Sequence, residues 1–339
     1  MICEDIHSAL SHRTAEYDSQ QVVVLTTAEV MDCHPEIQDC GFPVLALPSG
    51  ESNKSLDSVQ RIWDFLLAHR ITRSGLLICI GGGMITDLGG FAASTYKRGI
   101  DYINVPTTLL AMIDASTGGK TGLNYNGLKN CIGSFYSPKE TIICPAFLQT
   151  LPVQQLLSGY AEMLKHGLLA NEEEWNRLLC FDWNTPDTAA LISLIESSLA
   201  VKQHIISIDP QENGLRKALN LGHTVGHALE EVGLNEGGML HGYAVLYGLI
   251  AELYLSVVRF DFPRKPLQQL ADLMIHVYGR PQCKCSDRER LLSLMLQDKK
   301  NEHAGEINCT LMSSFGHPEI NQIVTTAEMN EALDYLFSL

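Results

Sequence analysis

An unbroken apolar stretch that runs directly into three glycines places the strongest constraint on the fold of this chain. Residues 76–80 are all apolar, residues 81–83 are all glycine, and helical spacing follows from about 84 to 96. A strand that is apolar on both faces is typical of the centre of a parallel sheet. A glycine turn that leads from such a strand into a helix N-terminus is the phosphate-binding arrangement of α/β folds. The dinucleotide fingerprint is incomplete, because Thr86 stands where its third glycine belongs.

The pattern around this stretch predicts two domains. Further strands are expected at residues 21–25, 44–48, 102–108 and 142–145, with a helix at about 55–69, so residues 1–150 should form an α/β domain. Residues 113–122 and 127–130 are expected to be glycine-rich loops that carry lysines beside strand ends, where anions collect. Helical periodicity predominates after the Leu151-Pro152 pair, so residues 151–339 should form a mainly α-helical domain, with a short strand pair near 307–311.

Composition limits the partners of the chain. The net charge of −15 over 339 residues argues against general binding to nucleic acid or to anionic membranes. The N-terminus has no basic segment followed by an apolar run, and no stretch is expected to reach the roughly 20 apolar residues of a membrane span. The ten cysteines are scattered, which suits a reducing compartment. We therefore expect a cytoplasmic protein with a small-molecule ligand.

Residues 215–229 are predicted to form one helix with a polar stripe. Arg216, Asn220, His223 and His227 would lie on one face of it, and two imidazoles one turn apart can chelate a divalent metal. The alternative is a pair of surface histidines or of hydrogen-bonded core histidines. Glu162, three residues before a lysine on another predicted helix, reads by itself as half of an exposed ion pair.

Taken in order, these segments resemble the 3-dehydroquinate synthase family of sugar-phosphate cyclases, from about residue 51 to residue 301. The motifs that carry the resemblance are Gly81-Gly82-Gly83 with Asp87, VPTTLL at 105–110, Asp114 with GGKT at 118–121, KNxIG at 129–133, AExxK at 161–165 and LRxxxNxGHTxGH at 215–227. The chain departs from the commonest pattern at Thr86, Leu128 and Tyr243.

The resemblance implies an N-terminal Rossmann-like NAD domain and a C-terminal α-helical domain that holds metal and substrate. It also implies an activity and a residue set. The reaction would convert 3-deoxy-D-arabino-heptulosonate 7-phosphate to 3-dehydroquinate and phosphate in the shikimate pathway. It would proceed by transient oxidation with NAD, elimination of phosphate, reduction and aldol cyclisation in a homodimer. A divalent metal, zinc or else cobalt, would lie on Glu162, His223 and His241, so His227 would not be a ligand. Catalysis would fall on His227, Glu212, Lys165 and Asn130.

The resemblance also implies binding residues for the two small molecules. Substrate contacts would be Asp114, Lys120, Asn130, Lys165, Lys202, Arg216, Asn220, His227, Lys299 (or its neighbour Lys300) and Arg98. Arg98 would reach a substrate phosphate in the neighbouring subunit of the homodimer. NAD contacts would be Glu51, Lys54, Gly82, Gly83, Asp87, Thr107, Thr108, Lys129, Phe147 and Thr150.

Three alternatives stay open from the sequence. A sister sugar-phosphate cyclase would act on a substrate without a carboxylate, and the Arg216 and Asn220 pair argues against it. A metal-dependent polyol dehydrogenase would consume NAD stoichiometrically and would not need so many phosphate-binding lysines. A non-enzymatic metal-binding or scaffold protein would leave the glycine turn unexplained.

Overall fold

The computed structural model describes residues 1–3, 5–126, 128–183, 187–233, 238–282, 287–298, 301, 303 and 305–339. The chain forms two compact units, Met1–Leu156 and Leu157–Leu339. Lys299, one of the expected substrate contacts, lies outside the described residues.

A parallel five-stranded sheet organises the first unit. Its described elements are α1 (Ile6–Thr14), β1 (Val22–Thr27), α2 (Ala28–Cys33), β2 (Val44–Leu47), α3 (Leu56–Ala68), β3 (Leu76–Gly81), α4 (Gly83–Thr95), β4 (Asp101–Pro106), β5 (Lys120–Tyr125), β6 (Leu128–Phe135) and β7 (Glu140–Thr141). The strand order is β2-β1-β3-β4-β7, and every pair is parallel. Each residue of β1 and β3 is buried, as the apolar runs predict. The predicted Rossmann-like fold class is therefore confirmed.

Two local predictions in this unit are wrong. The segments that carry Lys120 and Lys129 are not loops but the antiparallel strands β5 and β6. Their glycines serve close strand approach, since a Cβ on Gly122 would lie 2.8 Å from the carbonyl oxygen of Ile132, and one on Gly133 would lie 2.2 Å from that of Thr121. The strand expected at 142–145 lies earlier, as β7, which ends at Thr141, and within 142–145 the structure has only a single bridge between Ile2 and Ile143.

The second unit is mainly helical. Its elements are α5 (Val153–Ala170, which begins in the last residues of the first unit), α6 (Glu172–Leu179), α7 (Thr188–Ile208), α8 (His223–Gly233), α9 (His241–Phe260), α10 (Arg264–Leu273), α11 (Arg288–Leu296), β8 (Ile307–Ser314), β9 (His317–Val324) and α12 (Thr326–Ser338). The antiparallel pair β8–β9 is the strand pair that the sequence predicts, and it is longer than expected. Helix α9 lies at the centre of this unit, against α8, α10, α12 and β8.

Two helices are longer and more apolar than we expected from the sequence. Within the described residues, α7 and α9 each contain an 18-residue stretch with a mean hydropathy of 1.3 and 1.4, respectively, which meets the length and apolarity of a membrane span. In α9, 67% of that stretch is buried inside the protein, as is typical of a core helix. The corresponding fraction in α7 is 39%.

Candidate functional site

The helix that carries the histidine pair begins later than the sequence predicts. Residues Leu215–Asn220 form a separate 3-10 helix, and α8 begins only at His223. Gly222 lies between them with φ of 80°, a conformation that favours glycine. The prediction of one continuous helical face from Arg216 to His227 is therefore wrong.

A buried carboxylate makes this break possible. Glu252, which is completely buried in α9, accepts hydrogen bonds from the backbone N–H groups of Gly222 (2.6 Å), Thr224 (3.1 Å) and Val225 (3.5 Å). The first N–H groups of a helix have no partner within the helix, and a carboxylate there also interacts favourably with the helix dipole. Glu252 thus fixes the start of α8, and with it the position of His223.

Glycines bring three helices close enough for their side chains to meet. A Cβ on Gly248 of α9 would lie 1.9 Å from the carbonyl oxygen of Gly222, at the start of α8. A Cβ on Gly242, also in α9, would lie 1.9 Å from the carbonyl oxygen of Ser158 in α5, and the Gly242 N–H donates to the Ser158 hydroxyl at 3.0 Å. The backbones of α8 and α5 therefore lie directly against α9.

The side chains that meet there are Glu162 from α5, His223 from α8 and His241 from α9. One potential ligand atom from each lies within 4.8 Å of the others. The Nε2 atoms of His223 and His241 are 3.5 and 3.3 Å from Oε1 of Glu162. Both oxygens of Glu162 are buried, and among the described residues neither accepts a hydrogen bond of good geometry. One carboxylate and two imidazoles that converge in this way fit a divalent transition metal and leave coordination positions for other ligands.

The second nitrogen of each imidazole is held by a different partner. Nδ1 of His223 lies 3.1 Å from the carbonyl oxygen of Leu221, to which it can donate only if it carries the proton. Nδ1 of His241 lies 3.2 Å from Oε2 of Glu230. In both rings Nε2 is therefore the nitrogen that faces Glu162.

The charges around this cluster are strongly coupled. Burial opposes the charged form of the Glu162 carboxyl, but the ammonium of Lys165 and the two imidazoles hold its pKa well below the usual range. Burial and the Lys165 ammonium hold the pKa of His223 well below its ordinary value, so this imidazole is neutral at pH 7. Burial also acts against the charged form of His241, yet contacts with Glu162 and Glu230 raise its pKa to about 10. A bound metal would have to displace that proton.

The ion pair that the sequence suggested was exposed is in fact buried. Nζ of Lys165 pairs with Oε2 of Glu162, and the two side chains are 1% and 0% exposed. A buried ion pair is rarely explained by its contribution to stability, because desolvation offsets the attraction. Lys202 in α7 and Arg216 are buried in the same unit. This acidic chain therefore keeps three cations away from bulk solvent in its second unit.

The loop before the 3-10 helix is ordered by side-chain hydrogen bonds. Nη1 of Arg216 donates to the carbonyl oxygen of Pro210 at 2.6 Å, and Nδ2 of Asn220 donates to Oε1 of Glu212 at 3.3 Å. Asn220 thus contacts the expected proton acceptor Glu212, and Arg216 contacts the backbone two residues before it. His227 lies one turn after His223, and the centroids of the two rings are 5.2 Å apart. The side chain of His227 is 39% exposed, and its Nδ1 lies 3.7 Å from Oδ2 of Asp298.

In the first unit the glycine turn lies where the sequence places it. Gly82 precedes α4 without a side-chain cap. A Cβ on Gly82 would lie 3.1 Å from the Thr108 methyl group, and one on Gly83 would lie 3.2 Å from Cβ of Ala115. The turn therefore lies directly beside the end of β4, where Thr107 is buried and its N–H donates to the carbonyl oxygen of Gly81.

A polar network joins several of the expected cofactor contacts. Lys54 is only 4% exposed, and its Nζ lies 2.5 Å from Oδ2 of Asp87 and 2.5 Å from Oδ1 of Asn130. The Asn130 N–H donates to Oδ1 of Asn124 at 2.8 Å, and Nδ2 of Asn124 donates to Oε1 of Glu51 at 2.8 Å. We expected Asp87 in the first turn of its helix, but that turn contains no acid, and Asp87 instead pairs with Lys54. Asn130, expected at the substrate, lies in the same network.

The remaining expected contacts are spread over the first unit. Asp114 is half-buried in a π-helical turn (Ala111–Ala115), Lys120 is exposed in β5, and Lys129 is half-buried in β6. Phe147 is buried and packs edge-on against His34, whose Nε2 lies 2.8 Å from Oγ1 of Thr150. Arg98 is exposed with φ of 68°.

Sequence reasoning missed three carboxylates close to the histidines: Glu230, Glu252 and Asp298. Glu230 could have been found, because it follows His223 by seven residues and His227 by three, so all three share one helical face. Glu252 gives no local signal, since its role depends on the approach of α9 to α8. Asp298 contacts His227 across a long stretch of chain.

Comparison with known proteins agrees with this architecture. Residues 44–158 match the family model "3-dehydroquinate synthase N-terminal", and residues 159–301 match "3-dehydroquinate synthase C-terminal". The 3-dehydroquinate synthase of Parabacteroides distasonis is 43% identical over 99% of this chain and 96% of that protein. The enzyme of the same name from Pyrococcus furiosus is 38% identical over 93% of each.

Solved structures share the fold at lower identity. The 2-epi-5-epi-valiolone synthase of Streptomyces hygroscopicus, with NAD+ and Zn2+ bound, superposes with a TM-score of 0.84 at 24% identity and covers 100% of this chain and 96% of its own. A 2-deoxy-scyllo-inosose synthase with carbaglucose-6-phosphate, NAD+ and Co2+ superposes with a TM-score of 0.84 at 22% identity, over 98% of this chain and 95% of its own. A protein described as a "probable glycerol dehydrogenase" from Sinorhizobium meliloti superposes with a TM-score of 0.67 at 13% identity, over 99% and 95% of the two chains. These likenesses show the fold, whereas the two family models together match most of the chain, which therefore belongs to the 3-dehydroquinate synthase family.

Proposed function

We propose that this chain converts 3-deoxy-D-arabino-heptulosonate 7-phosphate to 3-dehydroquinate and inorganic phosphate, with NAD oxidised and regenerated within each turnover. Membership of the family supports this activity. The observation that carries the proposal is the buried group of Glu162, His223 and His241 in a unit that also buries Lys165, Lys202 and Arg216. A metal centre with buried cations suits a substrate that carries both a hydroxyl to be activated and anionic groups.

Glu162, His223 and His241 are proposed to hold one divalent ion, zinc or cobalt. When bound, such an ion would act as a Lewis acid toward a substrate hydroxyl. His223→Ala should lose the ion, because it removes one of three ligands that come from three helices. His204→Ala, at an exposed position of α7, is the matched control. Elemental analysis that still finds one tightly held ion per chain in His223→Ala would refute the ligand set.

The first unit, which contains residues 1–150, is proposed to bind NAD through the glycine turn and the Lys54 network. Bound NAD would accept a hydride from the substrate and return it. Gly82 and Gly83 leave backbone N–H groups accessible at the uncapped start of α4, which suits a pyrophosphate. Lys54 and Asp87 would bind the polar parts of the cofactor, with Glu51, Thr107, Thr108, Lys129, Phe147 and Thr150 completing its contacts.

The second unit, within residues 151–339, is proposed to bind most of the substrate. Arg216 would hold the carboxylate, because a guanidinium presents parallel N–H donors that match its geometry. Lys165 and Lys202 would hold further anionic oxygens. His227 and Glu212 would accept protons, and the partial exposure of His227 leaves its ring accessible. Asp114, Lys120, Asn130, Asn220, Arg98 and Lys299 complete the proposed substrate set.

The decisive experiment compares two substrates. Phosphate release should be fast with the heptulosonate phosphate and nearly absent with sedoheptulose 7-phosphate, which has no carboxylate for Arg216. Arg216→Lys should lose about 2–5 kcal/mol of transition-state stabilisation with the first substrate, since the carboxylate would lose its bidentate partner. If the wild type cyclises sedoheptulose 7-phosphate faster, the sister-cyclase function replaces this one.

We also propose a homodimer, located in the cytoplasm. Strand β6 forms one edge of a two-stranded sheet, and it exposes Leu128, Ile132 and Phe135 at 64, 38 and 62%. Exposed apolar side chains along an edge strand favour association. Light scattering should therefore report a dimer for the wild type and a monomer for a Leu128→Asp/Phe135→Asp double variant. A monomeric wild type would contradict the proposal.

A further inference from the structure

A carboxylate behind one of the proposed metal ligands takes no part in the proposed chemistry. Glu230 lies in α8, on the helical face that also carries His223 and His227. Its side chain is 12% exposed, and its Oε2 lies 3.2 Å from Nδ1 of His241 in α9. Glu230 therefore reaches from one helix to a ligand on another.

The ring of His241 is fixed at both nitrogens. A carboxylate can only accept at this distance, so Nδ1 carries a proton and donates it to Glu230. Nε2 is then the nitrogen left to bind a metal, and it lies 3.3 Å from Oε1 of Glu162. A rotation of the ring about its Cβ–Cγ bond would break the first contact and misdirect the second, so the position of Glu230 determines the direction in which His241 can bind a metal.

Local charge adds a second reason for a carboxylate at this position. Lys165 pairs with the same Glu162 that would bind the ion, so the ammonium offsets the only carboxylate among the three proposed ligands. A divalent ion between two imidazoles would then meet little compensating negative charge. Glu230 supplies that charge on the far side of one imidazole, and hydrogen bonding to a carboxylate makes an imidazole a stronger donor.

We propose that Glu230 is a positioning residue that orients His241 and strengthens its bond to the metal. The inference rests on the proposed function only through the assignment of His241 as a ligand. His223 provides an internal contrast, because its Nδ1 has a neutral backbone carbonyl as partner. The two imidazoles should therefore differ in how strongly they depend on one side chain.

The test uses Glu230→Gln, which keeps the size of the side chain and removes its charge. Zinc affinity of the purified full-length chain, measured by competition with a chromophoric chelator, should fall about 10- to 100-fold. The visible absorption bands of the cobalt-loaded protein should shift, because the donor strength and direction of His241 change. Glu231→Gln is the matched control: it removes a neighbouring carboxylate at an exposed position of the same helix and should change neither readout.

Glu230→Asp separates positioning from general loss of structure. This variant keeps the charge but draws the carboxylate back from His241, so its zinc affinity should lie between those of the wild type and Glu230→Gln. The metal-free variant should unfold at a temperature near that of the wild type. Zinc affinity within about twofold of the wild type and an unchanged cobalt spectrum in Glu230→Gln would overturn the proposal. An equal loss of affinity in Glu231→Gln would also overturn it.

The outcome can be told apart from failure of the proposed function. If the wild type binds zinc and His241→Ala releases it while Glu230→Gln retains full affinity, only the positioning role is wrong. If His241→Ala retains the ion, the ligand set itself is wrong.

Discussion

Replacing Glu252 with glutamine should loosen the start of the helix that carries two of the site histidines. The carboxylate accepts three backbone N–H groups, with one oxygen on Gly222 and the other shared by Thr224 and Val225. Glutamine offers one carbonyl oxygen and one NH2 group, so one of these two sets of donors would face another donor. The side chain is completely buried, so water cannot take the place of the missing acceptor.

The magnitude follows from these contacts. A hydrogen bond to a charged group contributes about 1.5–3 kcal/mol, and a buried donor without an acceptor costs about 1–3 kcal/mol. Loss of the charge at the helix N-terminus adds to this, whereas the lower desolvation cost of an amide offsets part of it. We expect a net loss of about 3 kcal/mol, which lowers Tm by about 6–12 °C for a unit the size of Leu157–Leu339.

The assay combines thermal unfolding of the metal-free protein with amide hydrogen exchange at Thr224 and Val225. Both amides should exchange faster in Glu252→Gln, because their acceptor is lost, while amides in the sheet of the first unit should be unchanged. Ser256→Ala provides a control one turn further along α9, where the hydroxyl accepts from the N–H of Met312. That variant should lower Tm modestly and leave the two α8 amides protected. Unchanged Tm and unchanged exchange in Glu252→Gln would refute the reasoning.

Gly248, Lys54 and Glu328 provide three further tests. Gly248→Ala should destabilise the second unit by several kcal/mol, because the new Cβ would lie 1.9 Å from the carbonyl oxygen of Gly222. Elemental analysis should find no bound metal in this variant, and near-native stability would contradict the prediction. Lys54→Met should weaken NAD binding in calorimetry at least tenfold while zinc content is unchanged, since Lys54 joins Asp87 to Asn130; equal NAD affinity would remove this network from the site. Hydrogen bonds from Arg259 and Thr325 lower the pKa of Glu328 from 4.5 to about 2. The ionised carboxylate therefore stabilises the folded protein by about 1 kcal/mol after solvent screening. This contribution is complete above about pH 4.5 and is lost as the pH falls toward 2. The difference in unfolding free energy between wild type and Arg259→Gln should therefore be smaller at pH 3.5 than at pH 7, and a constant difference would argue against the pair.

The parts of the fold that depend on local pattern could be predicted from the sequence. Strand β3 and the glycine turn follow from one run of apolar residues and three glycines, and the structure has both at the expected residues. The hairpin β5–β6 was missed because its glycines, which read as loop signals, instead allow two strands to approach closely. Glycine-rich composition is the same for a loop and for two closely packed strands, so only the position of the partner strand distinguishes the two structures.

The candidate site was predictable in its residue types but not in its geometry. Spacing alone favoured His223 and His227 as a chelating pair, whereas the group that the structure brings together contains His223 and His241. The break at Gly222 could not be read from periodicity, because it depends on Glu252, thirty residues later and on another helix. Contacts between distant helices determine which imidazole nitrogens converge, and a local pattern carries no information about them.

The most direct test of the central claim is the stoichiometry of a single reaction. Purified protein with zinc, a catalytic amount of NAD and an excess of the heptulosonate phosphate should release one inorganic phosphate for each 3-dehydroquinate formed, with no accumulation of NADH. That result follows if the hydride removed from the substrate is returned to it within each turnover. Accumulation of NADH in proportion to substrate consumed, without phosphate release, would instead identify a dehydrogenase and contradict the account.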